Sequence, residues 1–293
     1  MLKILVAMAH YYKSDPSSAH GYGHDTPEQR AAIVSSCLRS LLSTFATRRE
    51  STFVDLDGNG MPVYRRQPAD DWNAVQMDLA ICTTEGVENL IPLFKVPSGC
   101  FRHVKVRLEN PRNLGYGCLQ YLRMHAGKYD YYCYLEDDCF IQDPLFFRKL
   151  AWFESMFGPE AVLLPHRYSL SAPPDAQKIF SEPELQESYI GRWMNYQKNP
   201  RLSAPFGGTM LHFVKPHNPH CGAFFLSSAQ FRRYCAREEN FVPTSEFVSP
   251  LESAATLGLM KTFDVYKMDF SQASFFEMEH YSTQAVGEGF VQN

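Results

Sequence analysis

The chain has 293 residues, a length that suits one large domain or two small ones at roughly 100–200 residues each. Hydrophobic residues make up 45% and charged residues 20%, which excludes a mainly disordered or fibrous chain. Lys and Arg number 28 against 32 Asp and Glu, a net charge of −4, so the basic excess of a nucleic-acid binder is missing and no nucleic-acid partner is expected. Aromatics reach 14%. They serve core packing first and also offer flat side chains to a base or a sugar ring.

Residues 3–9, KILVAMA, are a short apolar run and predict a central parallel strand. The run ends at His10 and two tyrosines, too soon for a secretory signal. After a polar loop, Thr26-Pro27-Glu28-Gln29 opens a helix, with Thr26 as cap, Pro27 in the first turn and Gln29 completing a capping box. Ile33, Cys37, Leu38, Leu41, Leu42 and Phe45 recur at helical spacing on its buried face. Strands are predicted over 52–56, 77–83, 103–108 and 131–135, a turn over 57–60, and helices over 86–94 and 115–126. Beyond them lie a strand within 159–165, a polar and Pro-rich stretch over 169–205, glycine clusters and a strand over 206–226, a helix over 245–260 and extended chain over 262–270. Strands alternating with helices predict an α/β fold with a mainly parallel central sheet, in one domain over 1–293.

No stretch approaches the roughly 18 apolar residues that span a bilayer. None of the eight cysteines forms a CxxC pair. They read as buried free thiols of a reducing compartment, so a cytoplasmic setting is expected.

The most informative segment is YDYYCYLEDDCFIQDP, in which a Tyr-rich strand runs into Glu136-Asp137-Asp138. Ligands of parallel α/β sheets collect at the carboxyl ends of strands. Three adjacent acids there repel one another unless a positive partner sits among them. A hard divalent cation carrying phosphates is such a partner.

Residues 110–145, which begin NPRNLGYG and end with this acidic segment, resemble the core of GT-A (Rossmann-like) glycosyltransferases. That family places an Asn-x-Gly turn, a helix and a strand before a DxD-type motif. Here Asn113-Leu114-Gly115 supplies the turn and Glu136-Asp137-Asp138 the motif. The Glu-first variant is similar to that of N-acetylglucosaminyltransferase I-type enzymes. The close match covers about forty residues, although the architecture extends over most of the chain. The resemblance implies that Asp138 holds Mn²⁺ or Mg²⁺, while Glu136 and Asp137 contact the ribose or sugar of a nucleotide-sugar donor, with a UDP-sugar as the expected donor. It implies a donor half over 1–145 and an acceptor half over 146–293, the acceptor being a glycan, a lipid-linked glycan or a protein.

Three later pieces follow the family's order. His220-Cys221-Gly222 resembles its glycine loop beside donor and acceptor. Ser249-Pro250-Leu251-Glu252-Ser253 stands where an xED motif supplies the base of inverting enzymes. The family's Asp is replaced by Ser253, so Glu252 is the candidate catalytic base, with Glu246 in reserve. His280 resembles the C-terminal metal-binding histidine. At the end of strand one, His10 and Tyr11 are expected to meet the base. His20, Tyr22 and His24 follow in a loop that can fold over the donor. Asp55, Asp57 and Glu85 are further candidates for base or ribose, and the sequence does not rank them. Trp193, Tyr196 and Phe206 fall in the acceptor half, as do the basic residues Arg192, Lys198 and Arg201. An inverting transfer is favoured. The alternatives are a catalytically silent GT-A-like nucleotide-binding protein and a sugar nucleotidyltransferase, although no GxGxxG or Walker loop follows strand one.

Overall fold

The computed structural model describes residues 1–14, 25–45, 50–68, 73–87, 89–171, 177–180 and 182–281. The apolar run becomes β1 (Leu2–Ala9), buried from Ile4 to Ala9. A strand covered on both faces needs such an unbroken run. The capping box forms as expected at the start of α1 (Pro27–Thr44), where Thr26 Oγ1 accepts from Gln29 N and Gln29 Oε1 accepts from Thr26 N. Next come β2 (Glu50–Leu56), β3 (Pro62–Pro68), β4 (Val75–Thr84), β5 (Arg102–Val106), α2 (Leu114–Met124), β6 (Tyr131–Glu136) and β7 (Cys139–Phe140). The later half adds α3 (Phe146–Phe157), β8 (Ala161–Leu163), β9 (His166–Leu170), β10 (Lys178–Phe180), α4 (Glu187–Ile190), β11 (Arg201–Phe206) and β12 (Thr209–Val214). It closes with β13 (Ala223–Ser227), α5 (Ser228–Cys235), α6 (Pro250–Glu252), α7 (Gly258–Thr262), β14 (Asp264–Met268) and β15 (Glu277–His280).

The main sheet has the order β13-β6-β1-β4-β5. Its last four strands are parallel, and β13 is antiparallel at the edge beside β6. The fold is thus α/β with a mainly parallel central sheet flanked by helices. From β1 the chain winds outward through β4 and β5, then returns to the other side of β1 for β6. The winding reverses between β1 and β6, and a ligand crevice opens at the carboxyl ends of the strands at such a point. Two four-stranded sheets, β10-β9-β15-β7 and β11-β12-β14-β8, organise the later half. A continuous hydrophobic core includes residues from Ile4 to Met278. Much of the aromatic surplus lies there: Tyr132 stacks on Phe231 at 4.1 Å, and Tyr134, Tyr234, Phe146 and Phe224 are fully buried. No helix among the described residues is long and apolar enough to cross a membrane. The eight cysteines are free thiols.

Three expectations need correction. The strand over 52–56 does not join the parallel sheet but pairs with β3 in a separate hairpin. The helix expected over 86–94 reduces to one 3₁₀ turn, Ile91–Leu93, where Pro92 removes a backbone donor. The helix expected from 245 starts at Pro250, because Ser249 caps it and Pro250 takes the first turn.

A buried ion pair ties the later half together. Glu182 accepts from Lys267 Nζ at 2.7 Å and from Arg167 N at 2.6 Å, and it bonds His166 Nδ1 at 2.8 Å. Burial alone would raise its carboxyl, but Lys267 and His166 hold it below the usual carboxylate range. The stability linked to a lowered carboxyl is present above its unfolded value of about 4.3. It is lost as pH falls through the lower folded value. Glu182→Gln is expected to cost about 3 kcal/mol at neutral pH, read by urea unfolding. The gap to the parent protein should narrow when the titration is repeated in acid.

Candidate active site

β6 is buried from Tyr131 to Leu135 and lies beside β1 with Ala9 opposite Glu136. The residues that follow each strand therefore leave the sheet together. His10 Nδ1 bonds Asp137 Oδ2 at 2.6 Å, and Leu90 N donates to His10 Nε2 at 3.1 Å. Because Nε2 accepts, the ring proton sits on Nδ1 and is donated to Asp137. His10, expected to face a nucleotide base, is buried with both ring nitrogens engaged inside the protein. It orients the acidic motif instead. Tyr11 is half-buried beside it.

The positive partners of the acids come from other elements. α1 runs along the turn after β6, where Cys37 Sγ donates to Cys139 O at 2.7 Å and Ser40 Oγ donates to Ile141 O at 3.0 Å. Arg30 lies two turns before Cys37 on that same face. Its Nη2 bonds Asp137 Oδ1 and its Nη1 bonds Asp138 Oδ2, the latter at 3.2 Å. Burial opposes the guanidinium charge, but Asp137 and Asp138 outweigh it and raise the Arg30 pKa. Arg167 of β9 is a second cation whose charge acts on Glu136 and Asp138.

The neighbouring acids diverge. Burial would raise Asp138, yet His280, Arg30 and Arg167 hold it below the usual range. Glu136 is pushed up to about 8 by burial, Asp138 and Glu252, against the pull of Arg167. These surroundings favour the protonated form of Glu136 and the charged form of Asp138. Two carboxyls with separated affinities for a proton suit two chemical roles.

Glycine is required where the backbone approaches Glu136. Glu136 N donates to Gly222 O at 2.9 Å. Gly222 has φ +71°, and a Cβ there would stand 2.6 Å from Glu136 Oε2. Gly115 serves packing: a Cβ at that position would meet Ala254 Cβ at 2.6 Å, so its absence lets α2 close on the helical turn after Glu252. Asn113 precedes α2 without capping it by its side chain. Asn110 caps the preceding turn by accepting from Arg112 N at 3.0 Å.

His280 arrives from the far end of the described chain. β15 pairs antiparallel with β7, which sets His280 opposite Cys139, and Tyr281 N donates to Asp138 O at 2.9 Å. His280 Nε2 consequently stands 3.7 Å from Asp138 Oδ1. Burial keeps the imidazole below its usual range, in spite of Asp138. Glu252 is the last residue of α6, and the N-cap Ser249 Oγ donates to its carboxylate. Ser253, which replaces the family's Asp, is buried: its Oγ donates to Phe247 O at 2.9 Å and accepts from Phe247 N at 3.1 Å. It fastens the loop before α6. The reserve candidate Glu246 is an exposed partner of Lys261 at 3.5 Å.

A neutral imidazole beside a charged carboxylate fits a divalent cation that takes its other ligands from phosphate. His280 Nδ1 and Glu136 Oε1 are also buried without a partner. Among the described residues, no three His, Cys, Asp or Glu side chains converge as a group that could hold a metal ion.

Other candidates stand elsewhere. Asp55 pairs with Arg65, and Asp57 accepts turn bonds from Asn59 N and Met61 N, both on the separate hairpin. Glu85 is exposed beyond β4. Lys198 pairs with Asp264, Arg201 pairs with Asp269, and Arg192 lies over Tyr189 and Trp193. Tyr196 donates to Pro216 O at 2.9 Å, and Phe206 packs edge-on against Trp152 and Phe275. His20, Tyr22 and His24 lie outside the described residues. Sequence reasoning passed over Arg30 and Arg167. A signal existed for Arg30, which sits three and seven residues before Ile33 and Cys37 on the buried face of α1.

Arg30→Gln should cost about 3–5 kcal/mol by leaving two buried carboxylates uncompensated. Adding Asp137→Asn should recover part of that loss, with a coupling of about 1–3 kcal/mol in urea unfolding. Gly222→Ala should cost about 1–3 kcal/mol and lower the thermal midpoint.

Among solved structures, the chain is similar to an active-site mutant of LgtC, with TM-score 0.32 and 11% identity over 91% of this chain and 72% of that one. It is also similar to a mannose-1-phosphate geranyltransferase from Thermus thermophilus, with TM-score 0.40 and 12% identity over 92% and 74% of the two chains. A third similarity is to CMP:2-keto-3-deoxy-manno-octonic acid synthetase complexed with CTP, with TM-score 0.38 and 13% identity over 97% and 94%. No family model matches the chain, and no curated protein matches it.

Proposed function

We propose that the chain is a metal-dependent GT-A-type glycosyltransferase that moves a sugar from a UDP-sugar to a hydroxyl of a glycan, lipid-linked or protein acceptor. One observation carries the reading. An acidic motif at the reversal point of the sheet stands 3.7 Å from an imidazole of the C-terminal strand. Buried polar atoms are normally satisfied. Glu136 Oε1, the Tyr134 hydroxyl and His280 Nδ1 are not, as expected of a crevice that a polar ligand completes.

Asp138 and His280 would hold Mn²⁺ or Mg²⁺, with residues 1–145 binding the donor and 146–293 the acceptor. When bound, such a cation neutralises charge that grows on a departing diphosphate. Arg30 and His10 keep Asp137 and Asp138 from rotating away. Glu136 hydrogen-bonds a hydroxyl of the ribose or sugar, and Gly222 leaves room for the Glu136 carboxyl to take that position. Tyr11 and Asn113 are the side chains assigned to the nucleoside. Glu252, oriented by Ser249, accepts the acceptor's proton as the sugar transfers with inversion. The cytoplasm is the setting assigned to this chemistry, where free thiols stay reduced.

Calorimetry with UDP should show tighter binding in Mn²⁺, and Asp138→Asn should remove most of that gain. Equal affinity with and without metal in the parent protein would count against the assignment. Glu252→Gln should keep UDP binding and lower kcat by about 10²-fold or more. Release of pyrophosphate from a sugar phosphate and a nucleoside triphosphate would make the chain a nucleotidyltransferase instead. UDP binding without turnover of any nucleotide sugar would make it a silent binder.

A further inference from the structure

Val248 is held in a conformation that its own side chain disfavours. Among the described residues, the non-glycine positions with positive φ are Asn199 and Val248, the latter at +59°. Asn tolerates that region, whereas a β-branched residue there is an outlier. Ser249 N donates to Phe247 O at 2.8 Å, so Val248 stands at the centre of a γ-turn of the rare, strained kind. Val248 is 63% exposed, and packing of its own side chain therefore does not hold it there.

The hydroxyl of Tyr189 does. From α4 it donates to Glu246 O at 3.0 Å and accepts from Val248 N at 3.2 Å, so one oxygen clasps the entry and the centre of the turn. The Tyr189 ring stacks on the buried Phe247, and Trp193 stands edge-on to both. The Arg192 guanidinium covers the rings of Tyr189 and Trp193 at 4.4 and 4.2 Å, and its Nε donates to Tyr189 O at 3.0 Å. Directly after the turn, Ser249 Oγ accepts from Leu251 N and donates to the Glu252 carboxylate, while Ser253 N donates to Ser249 O at 2.9 Å. Ser253 Oγ bonds both the N and the O of Phe247. The segment that carries Glu252 is thus tied to the turn on both sides, and the turn to Tyr189. Backbone strain persists only where its surroundings over-determine it, and it clusters at functional sites. We propose that Tyr189 is a positioning residue, whose hydroxyl pins the Val248 turn and thereby fixes the Glu252 carboxylate for proton transfer. This rests on Glu252 as the base of the proposed reaction.

Tyr189→Phe keeps the ring and removes the pin. Amide exchange of the full chain, read by mass spectrometry, should quicken about three- to tenfold over residues 247–253. Turnover of a UDP-sugar should show kcat lowered about tenfold or more at unchanged KM, with UDP affinity in Mn²⁺ as in the parent protein. Adding Val248→Gly should restore both exchange and kcat, because glycine adopts a positive φ without a pin. Val248→Gly alone should leave kcat unchanged. Unaltered exchange in Tyr189→Phe overturns the proposal, as does faster exchange at full kcat, or a loss of kcat that Val248→Gly does not recover. If Glu252→Gln keeps full turnover, the base assignment fails, and exchange over 247–253 still supports or overturns the pin.

Discussion

The structure depends on a guanidinium held between two buried carboxylates. Glu136, Asp137 and Asp138 leave a buried strand in succession, and three such acids cannot crowd a low-dielectric end of a sheet unaided. Arg30 answers this by bonding both Asp137 and Asp138 from α1, and His10 adds its Nδ1 proton to Asp137. Replacing a buried ion pair with apolar residues is often neutral or stabilising. Stability alone therefore does not explain why a chain with so large an aromatic core keeps this cluster.

The same electrostatics divide the acids into roles. Asp138 favours its charged form because His280, Arg30 and Arg167 surround it, while Glu136 favours its protonated form in a tighter setting beside Asp138 and Glu252. The backbone makes that setting possible. Gly222 folds with positive φ against Glu136, where a side chain would collide with its carboxylate. Strand pairing does the rest, since β15 on β7 delivers His280 to Asp138. The acidic cluster is thus surrounded by six parts of the chain: the ends of β1 and β6, the first turns of α1, the glycine turn before β13, the end of α6 and β15.

Much of the early architecture was legible in the residues themselves. The unbroken apolar run of β1 announced a central strand, Thr26-Pro27-Glu28-Gln29 announced the start of α1, and the Tyr-rich run marked β6 with its acids at the exit. These are local signals, set by the period of burial and by the chemistry of one helix turn. The acidic motif was also readable as a place needing positive charge, although the identity of the protein's own counter-charges was not.

That identity was decided by tertiary structure. Arg30 and Asp137 are 107 residues apart, and no periodicity links positions at such a distance. His10 became an internal orienting group only because β1 and β6 lie side by side. Gly115 proved to be a packing glycine only because α2 meets Ala254. The strand at 52–56 carried the right residues for a sheet, but β3 took it as a partner and left it outside the core. Local sequence determines which backbone shape a segment prefers. Which segments meet depends on burial and charge compensation across the whole chain, and only the folded structure resolves that competition.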